Sequence, residues 1–302
     1  MENGIIDVGL KDIIGRVAEV LKVETTGYRV EDACGKGDSF IGGIYKVVIR
    51  GIKDKQKVKY EVVVKWIPSL EKRRYFSGAY RREILLYERI APALLNIQRS
   101  KNFVEGLRLK FIKNVLSGEN VDNEFLVVHY LNGNYKMMGR QKEPTVEHAA
   151  LTFKELAKLH GLSFILQNES PMEFRLFQEE CSKDIQYADP SLAPKYMRHY
   201  YDASVNVIRD PVAKEKLKRL APDFFHVLHK CTIPADYSCL CHGDCWTNNI
   251  LFKYNGIGKT GKGKGRHKTV IYFGSHAMVN LAAAGKWAGS TSSVPHSHRI
   301  QA

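Results

Sequence analysis

The residues best suited to chemistry lie in one short stretch, His242-Gly243-Asp244-Cys245-Trp246-Thr247-Asn248-Asn249. Asn249 follows Asp244 by five positions, and an apolar run, 250–252, comes directly after it. A carboxylate can accept the proton of an attacking hydroxyl and an amide oxygen can hold Mg²⁺, so this pair is typical of phosphoryl transfer. A bare Asp-x4-Asn is common, but His242 ahead of it and the apolar run behind it make the pattern specific. An ordinary polar turn is the alternative.

The same part of the chain offers a second ligand set in Cys239-Leu240-Cys241-His242. Two thiols one residue apart beside a histidine could bind zinc, but a single Cys-x-Cys-His without a second pair is a weak match to known zinc spacings. The phosphoryl-transfer pattern explains the stretch better. Six cysteines in 302 residues are also too few for a disulfide scaffold.

A site for phosphoryl transfer also needs a cation on the nucleotide phosphates, and Lys65 is the candidate. It ends the β-branched run 62–64, a context like that of the strand lysine of kinases. Glu83 lies in the next predicted helix, where its carboxylate could hold the lysine in place. The alternatives are a solvated lysine at a strand end and a surface carboxylate among arginines.

A glycine-containing segment, Lys36-Gly37-Asp38-Ser39, lies between two predicted strands. Its backbone N–H groups and its serine hydroxyl could wrap phosphates, although a plain hairpin turn fits equally well.

A second glycine-rich segment, from Gly256 to Lys262, nearly matches a P-loop. Gly263 stands where a serine or threonine must bind Mg²⁺, and no strand followed by a capped helix surrounds it. We therefore reject this segment as a phosphate site.

Hydrophobic periodicity predicts the elements that must position these residues. The expected elements are an amphipathic helix over 5–21, a hairpin of strands 41–49 and 60–66, a helix over 79–95, strands at 107–112 and 124–130, and helices after 145, over 196–207 and over 212–228. A small β-rich lobe therefore precedes a helical lobe.

The helix that begins after Thr145 is expected to use that residue as its N-cap. Its predicted buried face consists of Val146, Ala150, Phe153, Ala157 and His160.

Composition excludes general disorder, since 44% of the residues are hydrophobic and 26% are charged. No run of about 18 apolar residues and no secretion signal occurs, so we expect a cytoplasmic protein without membrane contact. The net charge is +14, and half of it lies in 256–302, which contains no acidic residue. Basic charge favours phosphate-bearing partners, but this tail lacks the interleaved aromatic residues of a nucleic-acid binder.

Three regions follow from these patterns. We predict an N-terminal nucleotide-binding lobe over 1–130 and a partial helical C-terminal lobe with the catalytic loop over 131–255. The remaining region, 256–302, is a basic tail rich in glycine, alanine and serine, which we expect to be disordered or foreign to a domain of this kind.

Taken in order, the motifs resemble the ecdysteroid kinase-like (CHK kinase-like) family, which is related to choline and aminoglycoside kinases. The resemblance covers about residues 10–255 and rests on HGDCWTNNILF (242–252), RREILLYERIAPAL (81–94), LNGNYKMMGR (131–140) and FKELAKLHGLS (153–163). It implies an α+β, protein-kinase-like fold of two lobes. It also implies ATP- and Mg²⁺-dependent phosphorylation of a small-molecule hydroxyl, with ecdysteroids as the best-known substrate class.

The resemblance also implies roles for individual positions. Asp244 corresponds to the catalytic base and Asn249 to a Mg²⁺ ligand. The remaining assignments are Lys65 with Glu83 as the phosphate-anchoring pair, Lys36, Gly37, Asp38 and Ser39 as the nucleotide loop, and Val128 to Leu131, including Tyr130, along the adenine.

The chain departs from the family pattern at its second metal carboxylate, where Tyr272 stands in place of an aspartate. A neutral phenol is a poor Mg²⁺ ligand, and the helices that complete the family's second lobe do not follow. An altered reading frame or a misjoined exon is our hypothesis for the acid-free tail. We expect weak or absent activity, and the alternative function is a catalytically dead nucleotide- or ligand-binding protein whose basic tail contacts an anionic partner.

Overall fold

The computed structural model describes residues 8–33, 43–67, 70–118, 124–131, 135–138, 143–182, 193–224, 226–227, 238–245, 247–254, 267–269 and 280–283. The helices are α1 Val8–Leu21, α2 Leu70–Leu85, α3 Ala91–Ser100, α4 Val146–Glu169, α5 Pro171–Ser182, α6 Ala193–Val207 and α7 Pro211–Leu220. The strands are β1 Glu24–Asp32, β2 Gly43–Lys53, β3 Gln56–Trp66, β4 Asn114–Gly118, β5 Phe125–His129, β6 Tyr135–Met137, β7 Ser238–Cys241, β8 Leu251–Tyr254, β9 His267–Thr269 and β10 Asn280–Ala283.

Five antiparallel strands form the main sheet in the order β1-β2-β3-β5-β4. The predicted hairpin is confirmed as β2 and β3, whose turn residues Asp54 and Lys55 have φ values of 51° and 64°. Two consecutive left-handed residues match the right-handed twist of the flanking strands, so the turn fixes the register without glycine. That register places Lys65 between Ile44 of β2 and Leu126 of β5.

The two faces of this sheet are covered by different helices. Val62 and Val64 pack with the buried face of α1, as the opening amphipathic pattern predicts. Because side chains alternate along a strand, Val63 and Lys65 point to the opposite face. There Val63 packs against a core built from α2 to α5 and from Leu240 of β7. Lys65 is therefore on the face that meets the helical part.

The predicted helix over 79–95 is confirmed as α2 and α3, joined by a single π-helical turn at Leu86–Ile90. Ile84, Tyr87 and Leu94 are all buried, as expected from their spacing. One continuous helical segment thus carries Glu83 and also packs on the sheet.

Helix α4 begins at its predicted cap, since the Thr145 hydroxyl accepts a hydrogen bond from the His148 N–H at 3.3 Å. Its predicted buried face is wrong, because Val146 is 88% exposed and Phe153 is 69% exposed. The residues that pack into the core are instead Leu159, Leu162 and Leu166. Helix α4 has apolar residues on several sides, so the side that becomes buried is the one that packs against α3, α5 and β7.

The strand predicted at 107–112 is absent, and β4 forms further along the chain. Residues Glu105–Leu107 form a 3₁₀ turn, after which the Gln98 side chain binds the backbone of Leu109. The Leu109 N–H donates to Gln98 Oε1 at 2.6 Å, and Gln98 Nε2 donates to the Leu109 carbonyl at 3.2 Å. A side chain therefore satisfies backbone groups that a strand neighbour would otherwise satisfy.

Two small sheets are formed mainly by strands that follow the helices, joined by β6, which precedes α4. One has the strand order β6-β8-β9, and the other pairs β10 with β7. Strands β9 and β10 both belong to the tail for which we expected disorder, so these two segments differ from that expectation. The helix predicted over 212–228 is shorter, because α7 ends at Leu220.

The expected fold class is confirmed, since an α+β arrangement places a small β-rich lobe before a helical one. Among the described helices, none has an apolar stretch long enough to cross a bilayer.

Candidate active site

Lys65 of β3 and Glu83 of α2 form an ion pair between Nζ and Oε1. Each residue is only 3% exposed, so the pair lies inside the protein and not at its surface. The two residues are 18 positions apart, and packing of α2 on the sheet brings them together. The predicted Lys65–Glu83 contact is therefore present in the structure.

The environment of Glu83 is a low-dielectric one. Burial raises the pKa of Glu83, while the Lys65 ammonium partly offsets the rise. Tyr80 and Tyr87 lie one helical turn to either side, and burial, reinforced by the Glu83 charge, raises the pKa of both phenols. Such surroundings strengthen the attraction between the two charges and fix the lysine in one position.

The predicted catalytic loop leaves β7 through a sharp turn at Gly243. This residue has a φ of 78°, a left-handed conformation that side chains with a Cβ rarely adopt. The turn lets the Asp244 N–H donate to Nδ1 of the buried His242 at 3.3 Å. The glycine of the sequence motif is thus needed to direct Asp244 away from the strand.

Asp244 and Asn249 lie side by side. Asn249 Nδ2 donates to Asp244 Oδ2 at 2.7 Å and to the Asp244 carbonyl at 2.9 Å. Burial raises the pKa of Asp244, and the hydrogen bond from Asn249 opposes the rise. The five-residue spacing, closed by the 3₁₀ turn Thr247–Asn249, therefore brings the carboxylate and the amide together.

The amide oxygen of Asn249 is available to a ligand. Asn249 is 1% exposed, and its Oδ1 has no hydrogen-bond partner among the described residues. A buried polar atom without a partner is costly, whereas an amide oxygen beside a carboxylate is a good ligand for a hard divalent cation. Asn249 and Asp244 therefore fit Mg²⁺.

His242 connects the catalytic loop to the sheet. Burial, opposed by a backbone hydrogen bond and assisted by the Lys65 ammonium, lowers the pKa of His242 to about 4. The lysine is thus close enough to act electrostatically on the residue two positions before Asp244. The Lys65 ammonium is therefore within electrostatic reach of the strand end that leads into the predicted catalytic loop.

The predicted adenine-binding edge is the end of β5. Val128 is buried opposite Val63, and the Tyr130 N–H donates to the Glu61 carbonyl at 3.0 Å. Val128 lies on β5, the strand next to Lys65, and Tyr130 follows the end of that strand. Their contact with adenine stays a prediction.

Two polar residues that the sequence motifs did not single out, Lys46 and Asn248, lie beside the predicted site positions Tyr130 and Asn249. Lys46 Nζ lies 4.1 Å from the centroid of the Tyr130 ring and 3.8 Å from Glu61 Oε2. Lys46 is two positions from Ile44, the cross-strand partner of Lys65, so side-chain alternation places it on the same face of the sheet as Lys65. Asn248 Nδ2 is buried, and it has no partner in the part of the chain that the structure describes.

Two predicted parts of the site lie outside the described residues. They are the nucleotide loop Lys36–Ser39 and Tyr272, the residue in place of the metal carboxylate. Strand β9, which pairs with β8, ends at Thr269, three residues before Tyr272.

Comparison with known proteins gives a matching family model and similar solved structures. Residues 36–262 match the sequence model of the ecdysteroid kinase-like family. No curated protein matches significantly. Among solved structures, the chain is similar to the apoenzyme of a macrolide 2'-phosphotransferase from Brachybacterium faecium, with 12% identity, a TM-score of 0.41, and coverage of 90% of this chain and 73% of that one.

Proposed function

Because the chain belongs to the ecdysteroid kinase-like family, we propose that it is an ATP-dependent kinase acting on a hydroxyl group of a small molecule. The observation that carries this proposal is the orientation of Asn249. Its amide nitrogen is fixed on Asp244, and its buried amide oxygen is left without a partner among the described residues. This arrangement supports a base and a metal ligand in the same loop.

In the proposed reaction, Asp244 binds the acceptor hydroxyl and takes its proton. Because Asn249 Nδ2 donates to Oδ2 of Asp244, we assign the proton of the acceptor hydroxyl to Oδ1 of Asp244. Partial burial of Asp244 limits the access of water to the carboxylate and favours proton acceptance by raising its pKa.

Lys65 and Glu83 have a different task, which is to position the phosphates of the nucleotide. The ammonium of Lys65 supplies positive charge at a fixed point, and Glu83 prevents it from moving. Bound ATP with Mg²⁺ supplies the phosphoryl group and neutralises its negative charge, and Asn249 would hold the metal.

The substrate class proposed is a steroid-like alcohol of the ecdysteroid type, which the family supports. A small-molecule partner also suits a loop whose carboxylate is only partly exposed. Nucleic acid is not among the partners we propose.

Tyr272 supports a second candidate function, the binding of nucleotide without turnover. A kinase that lacks one metal carboxylate loses electrostatic stabilisation of its transition state. We therefore expect turnover to be slow in the first candidate and absent in the second, while nucleotide binding remains in both.

The test is a phosphoryl-transfer assay with radiolabelled ATP, Mg²⁺ and a panel of small alcohols that includes an ecdysteroid. Asp244→Asn should reduce turnover by roughly 10²–10⁴-fold, the usual contribution of a general base, and leave ATP affinity nearly unchanged. Turnover that survives this substitution contradicts the assigned role. Nucleotide binding without any turnover in the parent chain favours the second candidate.

A further inference from the structure

A cluster of metal-binding side chains lies outside the proposed ATP site. His160 of α4 and Cys239 and Cys241 of β7 each offer one ligand atom, and these atoms all lie within 4.8 Å of one another. Cys239 is buried, and the other two residues are partly buried. Packing of α4 on β7 thus brings a histidine next to two thiols that sequence reasoning had considered without it.

The geometry of the two thiols suits a shared cation. Neither cysteine forms a disulfide among the described residues, and their sulfur atoms are 3.6 Å apart. Two thiolates on a tetrahedral zinc ion, with Zn–S bonds of about 2.3 Å, have sulfur atoms about 3.8 Å apart. The pair therefore needs little movement to bind such an ion.

The ligand types select the metal. Two cysteine sulfurs and one imidazole nitrogen favour zinc, whereas Mg²⁺ and Ca²⁺ require oxygen ligands. Three protein ligands leave one tetrahedral position, which water fills in sites of this composition. The cluster is thus chemically distinct from the Asp244–Asn249 pair.

We propose that His160, Cys239 and Cys241 form a zinc site that fastens α4 to β7. The backbone already connects these elements, because the Leu240 N–H donates to Ser163 Oγ at 2.8 Å. A bound ion would add a second connection on the same strand. Since His242 follows Cys241 directly, the ion would fix the point at which the catalytic loop begins.

The test uses the full chain, reduced and freed of metal with a chelator. Zn²⁺ is titrated against a competing chromophoric chelator, and Co²⁺ is bound in a parallel experiment to record its absorption spectrum. We expect one Zn²⁺ per chain, a sulfur-to-cobalt charge-transfer band, and no competition from Mg²⁺. Zn²⁺ should also protect Cys239 and Cys241, but not the exposed Cys245, from alkylation.

Cys241→Ser is the diagnostic variant, and Cys245→Ser is its matched control four positions away. Loss of a hydrogen bond that supports a metal ligand typically lowers metal affinity by roughly 10–100-fold. Cys241→Ser removes a ligand itself, so the affinity for zinc should fall by more than that. Cys245→Ser should bind zinc as the parent chain does. His160→Gln should also weaken binding, and it tests the site independently if Cys241→Ser fails to fold.

Several results would overturn the proposal. They are a parent chain that binds no Zn²⁺ in competition with the chelator, a cobalt complex without a thiolate band, and binding that survives loss of both cysteines. Alkylation protection that includes Cys245 would also contradict it, because the ligands would then belong to another set.

Discussion

Two polar pairs carry the proposed chemistry, and they differ in how completely the protein satisfies them. Lys65 and Glu83 have opposite charges, come from separate elements and are almost fully buried together. Asp244 and Asn249 come from one loop, and one buried oxygen of that pair has no partner among the described residues.

The folded chain itself completes the Lys65–Glu83 ion pair, whereas the Asp244–Asn249 pair needs a bound ligand to supply a partner for the Asn249 oxygen. The ion pair depends on α2 packing against the sheet, so it should contribute to stability and to phosphate binding together. The loop pair depends on local turns, so its removal should affect binding and catalysis more than folding. Each prediction below tests one side of this contrast.

The largest expected change follows from Glu83→Ala. This substitution leaves the Lys65 ammonium buried without its carboxylate, which typically costs about 3–5 kcal/mol. Urea unfolding of the two chains measures the loss. Replacing both residues, as Lys65→Met with Glu83→Leu, should restore much of the stability because no charge is then buried.

The matched control is Glu215→Ala on α7. Glu215 pairs with Arg219, but the two side chains are 57% and 79% exposed. Water screens such a pair, so no measurable loss is expected. An equal loss for Glu83→Ala and Glu215→Ala would contradict the structural role given to the buried pair.

A smaller effect is expected from His242 when the pH changes. The imidazole has a pKa of about 4 in the folded chain, against 6.5 in its ordinary state. Between these values the unfolded chain binds more protons, so stability is fully present above pH 6.5 and falls as the pH falls toward 4. The chain should lose about 2 kcal/mol from this group between pH 7 and pH 5.

Urea unfolding at both pH values, with a chelator present, measures this loss. The variant His242→Gln should lose less stability over the same interval. Equal losses in the two chains would mean that His242 is not held neutral beside Lys65.

The next effect is that of Gly243→Ala. An alanine at a φ of 78° should cost about 1–2 kcal/mol and should also displace Asp244. Gly15→Ala is the control, because Gly15 lies in the middle of α1 with open space around an added Cβ. That substitution should stabilise the chain by about 0.5–1 kcal/mol. If both substitutions lowered, or both raised, the free energy of unfolding, the account of a strained turn at Gly243 would be contradicted.

The sequence predicted the parts of the site that depend on local pattern. The β-branched run before it located Lys65, and its place in the next predicted helix located Glu83. The Asp-x4-Asn motif located the predicted catalytic loop. Each of these depends on residues close in the chain. The family resemblance, which residues 36–262 confirm, added the fold and the class of reaction.

The rest depends on contacts that no short pattern encodes. The face that α4 buries was predicted wrongly, because Val146 and Phe153 are as apolar as the leucines that its neighbours cover. His160 was assigned to that face, and only the packing of α4 against β7 brings it to Cys239 and Cys241. The Gln98 side chain at Leu109 likewise replaced a predicted strand.

The most direct test of the contrast is a calorimetric titration of ATP with and without Mg²⁺, on the parent chain and on Asn249→Leu. If the buried Asn249 oxygen is a metal ligand, Mg²⁺ should tighten ATP binding to the parent chain by at least roughly tenfold, about 1.4 kcal/mol. The variant should lose that dependence while its free energy of unfolding changes little. The account would be contradicted if Mg²⁺ left the ATP affinity of the parent chain unchanged. It would also be contradicted if Mg²⁺ changed the ATP affinity of both chains equally.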